Sequence, residues 1–237
     1  MKTIRKAGLI GGTSPESTIV YYRRIIEGIQ RVKGETILAP LVIDSLSSYR
    51  VFDYFQAGDF AGLTDYLAAS VERLAAAGAQ FASLTAQTPH VVFNELAARS
   101  PIPLVSSVEC TRQELLRRGV KSVILLGTKF TMESDFLVGP LRAAGIRVSI
   151  PEPAEMELIQ QRIAAELELG IVRDKTRQEF VGIITRLVAA EAAEVVILGC
   201  TELPLLLDDR HTLIPCFDTM DAHIETLVQV ALGEAEV

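Results

Sequence analysis

Three short stretches carry the residues best suited to chemistry. In ILGCTELP, Cys200 follows an apolar run and a glycine, and Thr201 and Glu202 come directly after it. A thiol where a strand gives way to a turn or helix start can be drawn below its reference pKa of about 8.5 by helix N-terminal dipoles. It would then serve as a base or a nucleophile near neutral pH. A free cysteine is also at home as a small buried hydrophobe, and the residues alone leave both readings open. Cys110 and Cys216 are read as such hydrophobes, because neither follows a strand into a polar loop. LTAQTPH has the same form as the Cys200 stretch and offers Gln87 and Thr88 as hydrogen-bonding groups. Its central residue, however, is Ala86, which has no functional group. His90, beyond Pro89, suits either an acid-base role or a satisfied residue pinning the loop.

The third stretch is GLIGGTSPES. Its glycine pair suggests a phosphate loop, but it has neither the G-x-G-x-x-G order nor a G-K-[ST] ending, so a small carboxylate is the better ligand. Thr13 and Ser14 here, and Thr128 and Thr131 in ILLGTKFTMES, would supply hydroxyls and amides at helix N-termini, which are natural carboxylate cradles. Arg50 in SLSSYRVFD is either a bidentate carboxylate clamp or a solvated surface residue. No Ser-His-Asp arrangement is suggested, and G-x-S-x-G is absent. The chain has three cysteines without C-x-x-C spacing and three histidines, so no metal centre is expected.

These loops need a framework that ends strands beside helix starts. Apolar runs at 6–10, 38–44, 81–85, 104–106, 122–126, 147–150 and 195–198 read as strands. Helical patterns such as 17–33, 59–77 and 154–169 alternate with them. That alternation predicts an α/β fold of mainly parallel sheets flanked by helices, with ligands at the carboxyl ends of the strands. The plan also repeats. GLIGGTSPEST matches ILLGTKFTMES, and GAQFASLTAQT lies over AAEVVILGCTE, which sets Ala86 on Cys200. Two similar lobes related by a pseudo-twofold follow, 1–101 completed by 216–237, and 102–215. Facing each other, they would bring four strand-end loops around one cleft.

Composition narrows the partners. With 237 residues and 49% hydrophobic content, the chain can bury a sizeable core. A net charge of −7 without a basic cluster argues against nucleic acid. No apolar stretch approaches a membrane span, and MKTIRKAGLIGGT stops too soon at its glycines for a secretory leader to be expected. Sparse cysteines fit a reducing cytosol.

Taken together, MKTIRKAGLIGGTSPESTIVYYRRI, TAQTPHVVFNEL, LLGTKFTMESDF, GCTELPLLL and IPCFDTMDAH resemble the aspartate/glutamate racemase superfamily, its aspartate racemase branch above all. The resemblance implies a homodimeric amino-acid racemase working without pyridoxal phosphate or any other cofactor, on a small amino acid or carboxylate. In that scheme two thiols flank the substrate's α-carbon, one removing a proton as thiolate and the other delivering one. Cys200 matches the second-lobe thiol and Thr201 and Glu202 the polar pair after it, while Gln87 and Thr88 fall on the usual Asn-Thr. Arg50 lies near an arginine that holds a side-chain carboxylate. Two departures stand out. Ala86 occupies the first thiol's position, and 166–170, AELELG in its setting, carries glutamates where some relatives have a basic residue. With one thiol left, turnover could be impaired or one-sided. The alternatives are a single-cysteine decarboxylase or cis-diacid isomerase of the same superfamily, or a non-catalytic carboxylate-binding protein.

Overall fold

The computed structural model describes residues 3–236. The chain forms two compact units: the segment through Ser107 together with the segment from Asp221 onward, and Val108–Met220 between them.

The first unit runs β1 (Ala7–Gly11), α1 (Pro15–Lys33), β2 (Leu41–Ser45), α2 (Ser48–Ala57), α3 (Phe60–Ala76), β3 (Phe81–Leu84), a 3-10 turn (Thr88–Val92), α4 (Phe93–Arg99) and β4 (Leu104–Val105). Its sheet has the order β2-β1-β3-β4, every pair parallel. Leu63, Leu67, Val71 and Leu74 recur at helical spacing on α3. They pack with Ile10, Ala82, Leu84 and Leu96 into one core cluster. Asp59 starts α3 by accepting the Gly62 amide at 2.8 Å. The strand expected from residue 38 begins only after Pro40, which has no N–H to give the ladder; its carbonyl takes the Ala7 amide instead, at 3.1 Å.

Helix α5 (Ser107–Arg117) leads into the second unit. There follow β5 (Ser122–Leu126), α6 (Lys129–Glu133), α7 (Asp135–Ala143), β6 (Arg147–Ser149), α8 (Pro153–Ala165), a 3-10 turn (Leu167–Leu169), α9 (Asp174–Glu191), β7 (Val195–Leu198), a 3-10 turn (Leu203–Leu205), β8 (Cys216–Asp218) and α10 (Thr219–Leu232). This sheet, also all parallel, has the order β6-β5-β7-β8. Both units therefore use one strand order: second, first, third, fourth. In each, the two central strands are buried along their whole length, which is why they read as continuous apolar runs. Strand β8 was not expected; it is three residues long and carries no apolar alternation. The last turns of α10 belong to the first unit, where Arg5 N–H reaches the Ala231 carbonyl at 2.8 Å. Among the described residues, no helix is long and apolar enough to cross a membrane.

Candidate functional site

In the second unit, β5 and β7 end side by side. The Gly199 amide closes their ladder on the Leu126 carbonyl at 2.7 Å, and Cys200 is the next residue. Gly199 is required by crowding: a Cβ there would stand 2.9 Å from both the Leu126 carbonyl and a Leu125 methyl. Thr128 caps α6, its hydroxyl taking the Thr131 amide at 3.2 Å and meeting the Thr131 hydroxyl at 2.9 Å. One hydrogen bond between two hydroxyls uses one of their two hydrogens and leaves the other for a ligand. The amide of Lys129 is taken by Gln160 at 2.9 Å, so the α6 terminus is less open than an anion cradle would be.

Cys200 is buried, and its Sγ donates to Glu202 Oε2 at 2.9 Å. Thr201 Oγ1 donates to the same oxygen, also at 2.9 Å. Burial, then the charge and hydrogen bond of Glu202, push the thiol well above its ordinary range; the Glu202 amide works the other way, and the charge of Glu168 adds a smaller push. This corrects the expected lowering. The chain after Cys200 is a turn into a three-residue 3-10 helix, which has no macrodipole to stabilise a thiolate, and the nearest charges are negative. Cys200 therefore rests as a thiol whose S–H donates a hydrogen bond to a carboxylate.

In the first unit, β1 and β3 end in the same way: the Thr85 amide bonds the Ile10 carbonyl at 3.1 Å, and Ala86 follows. Ala86 and Cys200 stand two residues beyond strands of equal length and matching register. Thr85 is fully buried, its hydroxyl on Thr18 at 3.1 Å and on the Ile10 carbonyl at 3.2 Å. Ser14, rather than Thr13, caps the helix; its hydroxyl takes the Ser17 amide at 3.3 Å, and the two hydroxyls meet at 2.9 Å. The Ser14–Ser17 pair thus repeats Thr128–Thr131. The strand register sets Ile10 against Leu126, so the first loop is longer before its cap and the Gly-Thr match is offset. Gly12 makes room for that loop at φ +87°, where a Cβ would fall 2.1 Å from the Leu46 carbonyl.

Gln87 is buried, its Oε1 holding the Ser107 hydroxyl and its Nε2 without a partner among the described residues. Thr88 opens the 3-10 turn. His90 is the pin of this loop. Its Nδ1 bonds the carbonyls of Ala86 and Gln87, both at 3.1 Å, and its Nε2 accepts the Ser107 amide at 3.1 Å. Burial holds it neutral, down to about 4, although the two carbonyls work the other way. Arg50 is exposed on α2, its guanidinium 4.7 Å from the Tyr66 ring centre. No carboxylate pairs with it among the described residues.

Sequence reasoning missed a buried chain beneath the first loop. Tyr21 donates to His223 Nδ1 at 2.8 Å, and His223 Nε2 bonds the Ser83 hydroxyl at 2.7 Å. Ser83 passes its hydrogen to the Val105 carbonyl at 3.1 Å. A lone histidine on a helix gives no sequence signal of such a partner set. Among the described residues, no group of three or more His, Cys, Asp or Glu is placed to hold a metal ion.

Two parallel-sheet units with a thiol and a carboxylate at one strand end define a class of α/β protein suited to acid-base chemistry. Residues 10–227 match the family described as Asp/Glu/Hydantoin racemase. The chain belongs to that family, whose level of assignment is amino-acid racemase. It is similar to the broad specificity amino-acid racemase RacX of Bacillus subtilis (strain 168), 23% identical over 232 residues that cover 95% of this chain and 98% of that protein. Among solved structures, an aspartate racemase homologue from Pyrococcus horikoshii OT3 is 36% identical with a TM-score of 0.85, covering 96% of this chain and 99% of that one. The aspartate racemase of Picrophilus torridus, 20% identical at a TM-score of 0.73 over 96% and 94% of the two chains, shares the fold.

Proposed function

We propose that this protein is a cofactor-independent amino-acid racemase-type enzyme in which Cys200 carries the α-proton of its substrate. The observation behind this reading is the buried Cys200 thiol donating to Glu202 at a strand end of the racemase fold. The resting thiol is the acid form. Passing its proton to Glu202 makes the thiolate, which removes the α-proton of an amino acid. The S–H so formed exchanges with solvent and returns a hydrogen to the carbanion on the same face, and Glu202 then gives its proton back to the sulfur. The carbanion needs donors at its carboxylate. The uncommitted hydroxyl of the Thr128–Thr131 pair, in the same unit as Cys200, is such a donor. Gln87, Thr88 and Arg50 keep the substrate-binding roles that the resemblance gives them, and Thr13 and Ser14 the carboxylate-binding role read from their loop. Inversion also requires an acid or base on the opposite face, and Ala86, at the position the resemblance gives that group, supplies none. The reaction favoured here is α-proton exchange on one face, with inversion slow.

The test is incubation with acidic, neutral and basic amino acids in D₂O, following α-deuterium by NMR. Exchange that disappears in Cys200→Ser is the expected result. No deuterium in any amino acid would remove the proton-transfer reading. A lone protonated thiol also suits a decarboxylase, which protonates an enolate from one side; turnover of an arylmalonate without amino-acid exchange would establish that reading instead.

A further inference from the structure

We propose that His90 is a positioning residue which, through Ser107, turns the Gln87 carboxamide so that its Nε2 hydrogens meet a substrate carboxylate. This rests on the substrate-binding role given to Gln87 in the racemase reading and adds the device that sets its polarity.

All three residues belong to the first unit. The His90 ring is fixed from two directions. It stacks on Phe93 with ring centres 5.4 Å apart and planes 7° from parallel, and it meets the His223 ring edge to face at 6.1 Å. Its Nε2 accepts the Ser107 amide at 3.1 Å, so its one hydrogen sits on Nδ1, facing the Ala86 and Gln87 carbonyls, each at 3.1 Å. The Gln87 carbonyl also takes the His90 amide at 3.0 Å. Ser107, held by its own amide, is buried and gives its hydroxyl to Gln87 Oε1. These bonds close a ring: Gln87 main chain to His90, His90 to the Ser107 amide, and the Ser107 hydroxyl back to the Gln87 side chain.

The ring decides which end of the amide is left over. Among the described residues the Ser107 hydroxyl hydrogen has no acceptor better placed than Oε1. Reversing the amide would strand that hydrogen and bury an unanswered Oε1. In the orientation found, Oε1 is committed and Nε2 points away from Ser107 without a partner, on a side chain only 8% exposed. A buried amide nitrogen left in this state is costly, and nothing in the ring relieves it. An oxygen acceptor would relieve it. A carboxylate would do so best, because hydrogen bonds to a charged group are the stronger kind. An ammonium gains nothing there, since the acceptor end of the carboxamide faces Ser107.

The experiment follows the Gln87 side-chain amide by NMR, its signal identified by its loss in Gln87→Leu. Alanine, aspartate and lysine are titrated against their α-carboxamides, and α-deuteration of each amino acid is measured alongside. In the intact chain at least one amino acid should move that signal and bind about 10-fold or more tighter than its carboxamide. His90→Asn keeps a donor for the carbonyls but loses the acceptor for Ser107, and His90→Gln restores that acceptor. In α-deuteration, KM should rise about 10-fold in His90→Asn and in Ser107→Ala, with kcat changed less than about twofold. His90→Gln should recover most of that loss. The double variant of His90→Asn and Ser107→Ala should cost no more than either single one, because both act on one path. The titration of the intact chain decides the matter whether or not the variants fold. A Gln87 signal unmoved by every amino acid, carboxamides bound as tightly, or losses that add in the double variant overturn the proposal. Movement of the Gln87 signal without α-deuterium supports this site while removing the racemase reading. Deuterium that is lost in Cys200→Ser, with the Gln87 signal still, does the reverse. Binding of no amino acid overturns both.

Discussion

At the scale of single residues, Glu202 sets the state of the Cys200 thiol. Replacing Glu202 by Gln removes the charge that raises Cys200 and leaves only the weaker amide oxygen to accept from it, so its thiol should titrate lower. Burial, the largest cause, remains, so the midpoint stays above that of a free thiol. Ultraviolet titration of the thiolate, read as the difference from Cys200→Ser, measures this. A midpoint that stays put or rises would mean that the Glu202 contact is absent in solution. At the other strand end, Ala86→Cys should raise racemisation, by up to the roughly 10²–10⁴-fold that a positioned acid or base contributes. The comparison is racemisation rate against α-proton exchange. No gain, with exchange intact, would mean that a thiol at position 86 cannot reach the carbon that Cys200 serves. None of this environment was legible in ILGCTELP. The sequence puts Glu202 two residues on from Cys200, but only the turn brings its carboxylate back onto the sulfur.

Elements were far easier to read than side-chain contacts. β5 and β7 fall on their expected bounds because both are wholly buried, and burial writes itself as an unbroken apolar run. The α1 cap was harder to place, since GGTSP holds two residues able to cap and only Ser14 meets the Ser17 amide. Ser14→Ala should therefore cost about 1 kcal/mol in urea unfolding, whereas Thr13→Ala should cost much less. Equal losses would point to capping shared between the two. Gly199 makes a stronger demand on its element. Gly199→Ala drives a Cβ against the Leu126 carbonyl, which cannot yield without opening the β5–β7 ladder. A loss of about 1–3 kcal/mol is expected, together with a fall in exchange activity as Cys200 shifts. An unchanged unfolding midpoint would show that the strand end has slack.

At the scale of the whole molecule, the two units differ in how they should meet acid. Both buried histidines, His90 and His223, belong to the first unit, and the third, His211, lies in the second. Burial holds His90 at about 4 and, with the charge of His90 added, His223 at about 3. Their unfolded value is about 6.5, so the unfolded first unit binds more protons than the folded one below that pH. Stability from these groups is complete above about pH 6.5 and is lost as pH falls toward 4 and then 3. For His90 alone the loss is on the order of 3 kcal/mol, at roughly 1.4 kcal/mol per unit of pKa. His223 joins α10 to Tyr21 and Ser83, so its protonation releases that helix from the unit it completes. Hydrogen exchange at pH 7 and pH 5 should thus show β3, α4 and the last turns of α10 losing protection while β5 and β7 keep theirs. In His223→Gln the first unit starts out weaker, but its protection should depend less steeply on pH. Loss beginning in β5 and β7, or spread evenly along the chain, would assign acid sensitivity to the carboxylates instead of the buried histidines.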